Sequence, residues 1–468
     1  MSDLALLVPE LILAGIALAL ILAARRIQRT PVAAAGTVVA AMAAALASGW
    51  VLSWGAKTAF GGMITVDGYS QFFKVLIAAT LALAALLSVR SLDGEQVPRV
   101  EYHALLLLAS TGMMLAVSSR DLLPLWLGLE LMTLCSYILV GIRVERPASN
   151  EAAIKYFLLG SFASAVLIYG ISLTYGVTGT TDFAGIAAAL SKHDTGSNLL
   201  LLAAIGLVAA GLAFKIAAVP LHAWAPDAYQ GASAPVAAFL AAGSKAVGLA
   251  ALGRVCLAAF GSEAHVLSVV LAGLAGLSIV VGSIIALAQT DMKRLLAYSS
   301  ITHAGYALLG LIAGTREGAA ATMTYAFFYV FMTLGTFGVV IALGERGEKL
   351  DGYRGLAAQR PGAAMLMLLF LMSLTGIPPT AGFTAKFAVI LSAVRAGHIA
   401  LAVLAVACSV VSAFFYMRVA VLMYMNGPQE AAPSRFPVAV SAALAVAALV
   451  TLIGGIFPGS LAVWAVWR

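Results

Sequence analysis

The sequence has very little charge for its length. Only 10% of the 468 residues are Asp, Glu, Lys or Arg, whereas 62% are hydrophobic. A water-soluble domain of this size needs many more charged residues to cover its surface. The composition therefore excludes a chain built from soluble globular domains and indicates one whose solvent is mostly lipid.

Cysteine is also scarce. Cys135, Cys256 and Cys408 stand alone in apolar runs, with no CxxC spacing and no adjacent histidine. We therefore expect no disulfide, zinc or iron–sulfur site. No GxGxxG or GxxxxGK[ST] motif opens a soluble helix, so the sequence does not indicate a bound nucleotide. The net charge of +7 is scattered over short connections, so nucleic acid is not an expected partner.

Long apolar runs, in contrast, fill the chain nearly end to end. A membrane-spanning helix needs ~20 apolar residues, and charged or Pro/Gly-rich breaks divide the sequence into about fourteen such runs. We predict an all-α polytopic membrane protein that forms one domain over residues 1–468. The predicted spans are 4–24, 31–54, 69–90, 102–119, 121–142, 153–176, 198–221, 233–258, 265–287, 293–313, 318–344, 361–396, 398–425 and 434–457.

Two predicted spans contain helix breakers. The seventh ends near Pro220, and the twelfth contains residues 377–382 (IPPTAG). Proline interrupts the hydrogen bonding of a helix, so helices 7 and 12 are predicted to be discontinuous. A moderately amphipathic segment over residues 181–194 is predicted to lie along the membrane surface.

The distribution of basic residues predicts the orientation. Connections after odd-numbered spans hold about twice as many Lys and Arg as the others, which places them in the cytoplasm and both termini outside. Asp3 and Glu10 precede or begin the first apolar run, and Arg25 and Arg26 follow it. This order is the reverse of a cleaved signal peptide, so we predict a retained first helix.

Four ionisable residues lie well inside predicted spans. They are Glu130 and the three lysines Lys215, Lys245 and Lys386. Each costs ~3 kcal/mol at this depth and usually marks an ion or proton path. A static ion pair would account for Glu130 and one lysine but would leave two lysines unpaired. A Glu–Lys pair with further lysines can exchange protons as one coupled set, so we predict proton or cation transfer.

Other ionisable residues in spans have simpler interpretations. Lys74, Lys155 and Arg418 lie within about two turns of a predicted helix end, where a long side chain can reach the interface. His303, on the tenth span, and His222, at the seventh break, are possible relay residues because histidine titrates near neutral pH. A hydrogen-bonded core histidine is equally compatible with the sequence at both positions.

Three motifs resemble the antiporter-like subunits of respiratory complex I, the NADH–quinone oxidoreductase. They are residues 215–232 (KIAAVPLHAWAPDAYQGA), 291–306 (DMKRLLAYSSITHAGY) and 376–387 (GIPPTAGFTAKF). The resemblance runs along essentially the whole chain. Within that family the chain resembles the bacterial group called subunit N. It has no room for the lateral helix of subunit L, and it has Lys386 where subunit M has glutamate.

The resemblance implies two inverted five-helix repeats, over about 102–258 and 265–425, between spans 1–3 (about 4–90) and a last span (about 434–457). It implies a non-redox, proton-translocating subunit of the enzyme in the bacterial inner membrane. Glu130 and Lys215 would be the charge pair, Lys245 the central relay and Lys386 the exit-side residue. FMN, iron–sulfur clusters and quinone would belong to other subunits, and the implied partners are lipid and subunits M, K and J.

Two alternatives stay open. A subunit of a multisubunit Na⁺/H⁺ antiporter would share the lysine and glutamate pattern. A structural membrane-arm subunit would tolerate replacement of Lys245 and Lys386 by Met or Leu.

Overall fold

The computed structural model describes residues 3–25, 30–94, 97–191, 198–427 and 436–457 as a bundle of helices. The predicted start of the last span, at 434–435, lies outside these ranges. The first part of the bundle consists of α1 (Val8–Leu22), α2 (Thr30–Leu52), the hairpin β1 (Lys57–Ala59) and β2 (Ile64–Val66), α3 (Gly68–Gly94), α4 (Arg99–Ser118), α5 (Leu122–Val140), α6 (Pro147–Thr178) and α7 (Phe183–Leu190).

The remaining helices complete the bundle. They are α8 (Leu199–Lys215), α9 (Trp224–Gly231), α10 (Ala234–Phe239), α11 (Lys245–Arg254), α12 (Ala264–Leu287), α13 (Met292–Ile312), α14 (Arg316–Leu343), α15 (Leu356–Gln359), α16 (Pro361–Thr375), α17 (Ala381–Arg395), α18 (Ile399–Met425) and α19 (Val438–Ile456). Two π-helical turns, Leu240–Ser244 and Val255–Ala259, flank α11, so that α10 and α11 form parts of one continuous span.

The predicted all-α polytopic membrane fold is confirmed. Twelve helical segments in the described ranges are long and apolar enough to cross a membrane. Two shorter apolar helices, α8 and α16, are each followed by a non-helical stretch and then by α9 or α17. A count of about fourteen spans is reached when each of these two interrupted segments is taken as one span.

Local sequence signals set several helix starts. The Asp121 carboxylate accepts a hydrogen bond from the Leu123 amide at 2.8 Å, and the Asp291 carboxylate accepts one from the Arg294 amide at 2.9 Å. Side-chain caps of this kind satisfy amides that have no partner within the helix. Pro147 begins α6, where its missing N–H costs nothing.

The hairpin marks one end of the bundle, which we call the hairpin face. Ile64 of β2 pairs with Ser119, the residue after α4. The Phe183 amide at the start of α7 donates to the Arg120 carbonyl at 2.9 Å. The short helix α7 therefore lies at this face, within the segment 181–194 that the sequence predicted along the surface; residues 192–194 are outside the described ranges.

The most deeply buried helices lie at the centre of the bundle. The span that contains α10 and α11 is buried throughout, and α13 and α14 are buried almost throughout. In α1, α18 and α19 only about a third of the residues are buried, as expected for helices that contact lipid. The span that carries Lys245 is thus surrounded by protein on all sides.

Small residues allow α4 and α5 to approach each other closely. A Cβ atom on Gly112 would lie 2.6 Å from the Gly128 carbonyl oxygen. Close backbone contact through glycine is a common way to pack helices in membranes. Because Gly128 is two residues before Glu130, this contact fixes the part of α5 that carries the carboxylate.

The interpretation of Lys74 as an interfacial residue was wrong. Its side chain is fully buried, and its Nζ lies 2.7 Å from Glu10 Oε1 on α1, itself only 3% exposed. Glu10 is therefore a second acidic residue buried within a span. Sequence spacing could not reveal this pair, because α1 and α3 are brought together only by the tertiary fold.

We predict that the Glu10–Lys74 pair stabilises the packing of α1 against α3. Lys74→Met leaves an unpaired buried carboxylate, which costs about 3–5 kcal/mol, and should lower the midpoint of thermal unfolding in detergent. The double variant Glu10→Gln/Lys74→Met should recover most of the loss. Lys155→Met, at a half-exposed lysine, is the control. An unchanged midpoint for Lys74→Met would contradict the prediction.

Candidate functional site

The structure brings Glu130 and Lys215 together. Glu130 lies midway along α5, and Lys215 is the last residue of α8. Lys215 Nζ lies 3.3 Å from Glu130 Oε1 and donates a second hydrogen bond to Thr133 Oγ1 at 2.7 Å. The lysine side chain is 2% exposed and the glutamate side chain 19%. The ammonium group thus has one carboxylate and one hydroxyl as partners.

The chain leaves the helix immediately after Lys215. Ala217 has a φ of +56°, an uncommon value for a residue with a side chain. The Trp224 indole nitrogen donates to the Phe214 carbonyl at 3.0 Å, and the Val219 amide donates to Ser278 Oγ at 2.9 Å. Side chains therefore satisfy backbone groups that the break releases inside the membrane, as the low polarity there requires.

Lys245 is buried at the start of α11, directly after the π-helical turn Leu240–Ser244. Its Nζ donates to the Ser300 carbonyl of α13. Among the described residues no carboxylate pairs with it. Single π-helical turns occur often at functional sites, and this one sets the position from which Lys245 faces α13.

Lys386 lies in the second turn of α17. Its Nζ donates to the Thr375 carbonyl at 2.8 Å and to Ser409 Oγ at 3.0 Å, and it lies 4.4 Å from the centre of the Tyr306 ring. Thr375 is the last residue of α16, so its carbonyl is available because the helix ends there. This lysine, too, has no carboxylate partner among the described residues.

His303 lies between the sites of Lys245 and Lys386. Its Nδ1 is 2.6 Å from the Tyr325 hydroxyl, and its Nε2 is 3.4 Å from the Tyr416 hydroxyl. The Tyr416 hydroxyl also hydrogen bonds to Ser299 Oγ, next to the residue whose carbonyl accepts from Lys245. Hydrogen bonds therefore join the imidazole to Ser299, which is the chain neighbour of the residue that accepts from Lys245.

Tyr306 contacts both His303 and Lys386 through its ring, and its hydroxyl donates to the Ala405 carbonyl at 2.9 Å. Its ring contacts the His303 ring edge-on, with 6.0 Å between centres, and lies beneath the Lys386 ammonium. Sequence reasoning identified Lys245, His303 and Lys386 but missed the hydroxyl groups between them. Ser299 and Tyr306 stand four and three residues from His303, on or near one face of α13, and this spacing was the available signal.

His222 is not part of this connected set. It lies in the break between α8 and α9, where it is half-buried. Within the described part of the chain, no hydrogen bond joins it to Glu130, Lys215, Lys245 or Lys386. No group of three or more His, Cys, Asp or Glu residues in that part could hold a metal ion.

Arg418 and Lys155 are the other two basic residues that were predicted to reach the interface, and each has a partner in the structure. The Arg418 guanidinium donates to the Leu287 carbonyl at 3.0 Å and to the Gln289 carbonyl, at the end of α12. A cation there compensates the free carbonyls of a helix end. Lys155 is half-exposed and pairs with Glu151 at 2.7 Å.

Comparison with known proteins places this geometry in context. A family profile described as NADH:quinone oxidoreductase/Mrp antiporter, TM, matches residues 119–412. NADH-quinone oxidoreductase subunit N from Desulfovibrio desulfuricans is 45% identical, over 99% of this chain and 96% of its own. A chain of respiratory complex I from Thermus thermophilus superposes with a TM-score of 0.83 at 35% identity, over 97% of this chain and 98% of that one.

A further structure shows a likeness of fold alone. A chain of the Mrp complex from Dietzia sp. superposes with a TM-score of 0.87 at 22% identity, over 98% of this chain and 96% of that one. The fold with its buried lysines defines the class of antiporter-like membrane subunits. Within that class, the chain belongs to the family of subunit N of the NADH-quinone oxidoreductase.

We predict that Gly376 is needed for the position of Lys386. Its φ is +89°, and a Cβ atom there would lie 2.9 Å from Lys386 Cδ. Gly376→Ala should therefore lower thermal stability by about 1–2 kcal/mol from backbone strain and reduce activity by displacing the ammonium. Gly362→Ala, where no atom lies within 4 Å of the new Cβ, should be neutral or stabilising. Equal behaviour of the two variants would contradict this.

Proposed function

We propose that this chain carries protons across the bacterial inner membrane as a non-redox subunit of NADH–quinone oxidoreductase. Quinone reduction in other subunits would supply the energy. The observation that carries the proposal is the Glu130–Lys215 pair, with Nζ and Oε1 3.3 Å apart. Two further buried lysines follow it, without carboxylate partners among the described residues. A static structural role would not require those two ammonium groups in a low-polarity interior.

The first step is a change at Lys215. A nearby carboxylate stabilises an ammonium group, and its withdrawal favours release of the proton. Lys215 ends α8 and precedes a break, so the residues after it can rearrange without disrupting a regular helix. A signal from the neighbouring subunits that separates Lys215 from Glu130 would therefore drive a proton towards Lys245.

The second step carries the proton from Lys245 to Lys386. Ser299, Tyr416, His303 and Tyr306 lie between the two lysines and offer hydroxyl and imidazole groups that can donate and accept hydrogen bonds. The imidazole can accept a hydrogen bond at one ring nitrogen and donate from the other, so it can pass a proton along this set. Release from Lys386 would complete the transfer.

Family membership supports the position that we propose for this chain in the complex. We propose that the antiporter-like subunit M and the small subunits K and J are neighbours of this chain. FMN, the iron–sulfur clusters and quinone would bind to other subunits. We assign the hairpin face and both termini to the outside of the inner membrane, as the basic-residue bias indicates, and Lys386 to the exit side. The two inverted repeats are likewise part of the proposal.

We predict that Glu130→Gln and Lys386→Met each lower proton pumping by about tenfold, since loss of one neighbouring charge changes a buried proton equilibrium by at least about 1.4 kcal/mol. Glu130→Gln should also lower quinone reductase turnover, because the two processes are coupled. NADH-driven acidification of inverted membrane vesicles measures the pumping, and NADH oxidation by quinone measures the turnover.

Glu317→Gln is the matched control, because this exposed carboxylate forms only a surface pair with Arg395. Normal pumping by assembled Glu130→Gln and Lys386→Met complexes would contradict the proposal and favour a structural subunit.

Replacement of Na⁺ by choline should leave pumping unchanged. A requirement for Na⁺ would favour the Na⁺/H⁺ antiporter alternative.

A further inference from the structure

The helices that carry Lys245 and Lys386 both end in an arginine, but the two arginines differ in exposure. Lys245 and Lys386 are each followed nine residues later by an arginine that ends the helix, Arg254 on α11 and Arg395 on α17. Nine residues correspond to about 13 Å along a helix. Arg395 has a side chain that is 65% exposed, whereas that of Arg254 is 6% exposed.

Arg254 is held by two residues at the start of α3. Its two terminal nitrogens donate to the two carboxylate oxygens of Asp67 at 2.8 and 2.9 Å. Its guanidinium carbon lies 4.8 Å from the centre of the Tyr69 ring. The Tyr69 hydroxyl donates to the Ala250 carbonyl of α11 at 2.7 Å. Bidentate pairing and stacking together fix the guanidinium in one orientation.

Asp67 is itself fixed and ionised. Its Oδ1 accepts a hydrogen bond from the Ser70 amide at 2.7 Å, which ties the carboxylate to the first turn of α3. Burial raises the pKa of Asp67, but the hydrogen bond and charge of Arg254 outweigh that effect and hold the pKa below its usual value. The pair therefore stays charged at neutral pH.

The part of α11 around Arg254 is tightly packed. A Cβ atom on Gly253 would lie 2.9 Å from the Tyr69 hydroxyl and 3.3 Å from Leu311. Leu252 and Val255, the neighbours of this segment along the span, are buried. Between Lys245 and the hairpin face, α11 thus packs against apolar groups and ends at the buried guanidinium of the Arg254–Asp67 pair.

We propose that Arg254, held by Asp67 and Tyr69, is an electrostatic barrier that closes the Lys245 section of the proton route to the hairpin face. A fixed arginine repels protons and cations in membrane pores. A proton on Lys245 is therefore directed through His303 to Lys386, whose helix ends in the exposed Arg395. The inference rests on the proposed function and assigns a positioning role that determines where protons leave.

The test uses the intact complex in proteoliposomes, without NADH. A potassium diffusion potential set with valinomycin drives passive proton flux, which a pH-sensitive dye reports. Arg254→Gln should raise this flux about tenfold, equivalent to a barrier lower by about 1.4 kcal/mol. With NADH, it should lower the steady pH gradient without lowering quinone reductase turnover. Arg395→Gln is the control and should match the wild type in both measurements.

Further variants separate charge from packing. Arg254→Lys keeps the cation and should leak little, whereas a leak equal to that of Arg254→Gln would overturn the electrostatic role. In Arg254→Gln/Lys245→Met the leak should disappear, because it runs through Lys245. If Arg254→Gln does not assemble, the double variant Arg254→Gln/Asp67→Asn decides, because it removes both charges of the pair and leaves neither unpaired: a leak above wild type supports the barrier, and a wild-type flux overturns it.

A wild-type flux in assembled Arg254→Gln complexes would also overturn the barrier. Failure of the proposed function is a different result. It appears as normal NADH-driven pumping by Lys386→Met, whereas failure of the barrier appears in the passive proton flux of Arg254→Gln, which is measured separately.

Discussion

A charge inside a membrane must be paired, neutralised or solvated, and this constraint organises the molecule around Glu130. Lys215 alone among the three central lysines pairs with a carboxylate in the described structure, with 3.3 Å between the charged atoms. Lys245 and Lys386 are held by carbonyl and hydroxyl oxygens. Bonds from an ammonium to a carboxylate are stronger than those to neutral acceptors, so the three sites hold a proton unequally.

The three lysines lie next to irregular parts of the backbone or bind to them. Lys215 ends α8, Lys245 follows a π-helical turn, and Lys386 bonds to the carbonyl of Thr375, which ends α16. A regular helix consumes its own carbonyl and amide groups, and irregular backbone is tolerated within a membrane only where protein or water satisfies it. Lys215 and Lys245 therefore stand where the chain departs from regular α-helix, and Lys386 binds to a carbonyl at such a place. The same departures provide places where the structure can move.

The sequence predicted the parts that depend on composition and on single positions. Apolar runs predicted the spans, and the rarity of charge within them singled out Glu130 and the three lysines. The sequence did not predict contacts between helices that are far apart along the chain. Lys74 looked interfacial because its buried partner Glu10 is on another helix. The predicted span 233–258 contains Arg254, but its partners Asp67 and Tyr69 are far away in the sequence and were not predicted. The hydroxyl groups around His303 were missed because Ser and Tyr do not stand out in an apolar sequence.

The most direct test of this account is the Glu130–Lys215 separation in the intact complex, determined by cryo-electron microscopy at rest and during turnover with NADH and quinone. The account predicts two populations during turnover. In one, the charged atoms stay near 3.3 Å apart, as in this structure; in the other, Lys215 has left hydrogen-bond reach of Glu130 and lies closer to Lys245. A single population with the pair intact in both conditions would contradict the claim that this pair drives proton transfer.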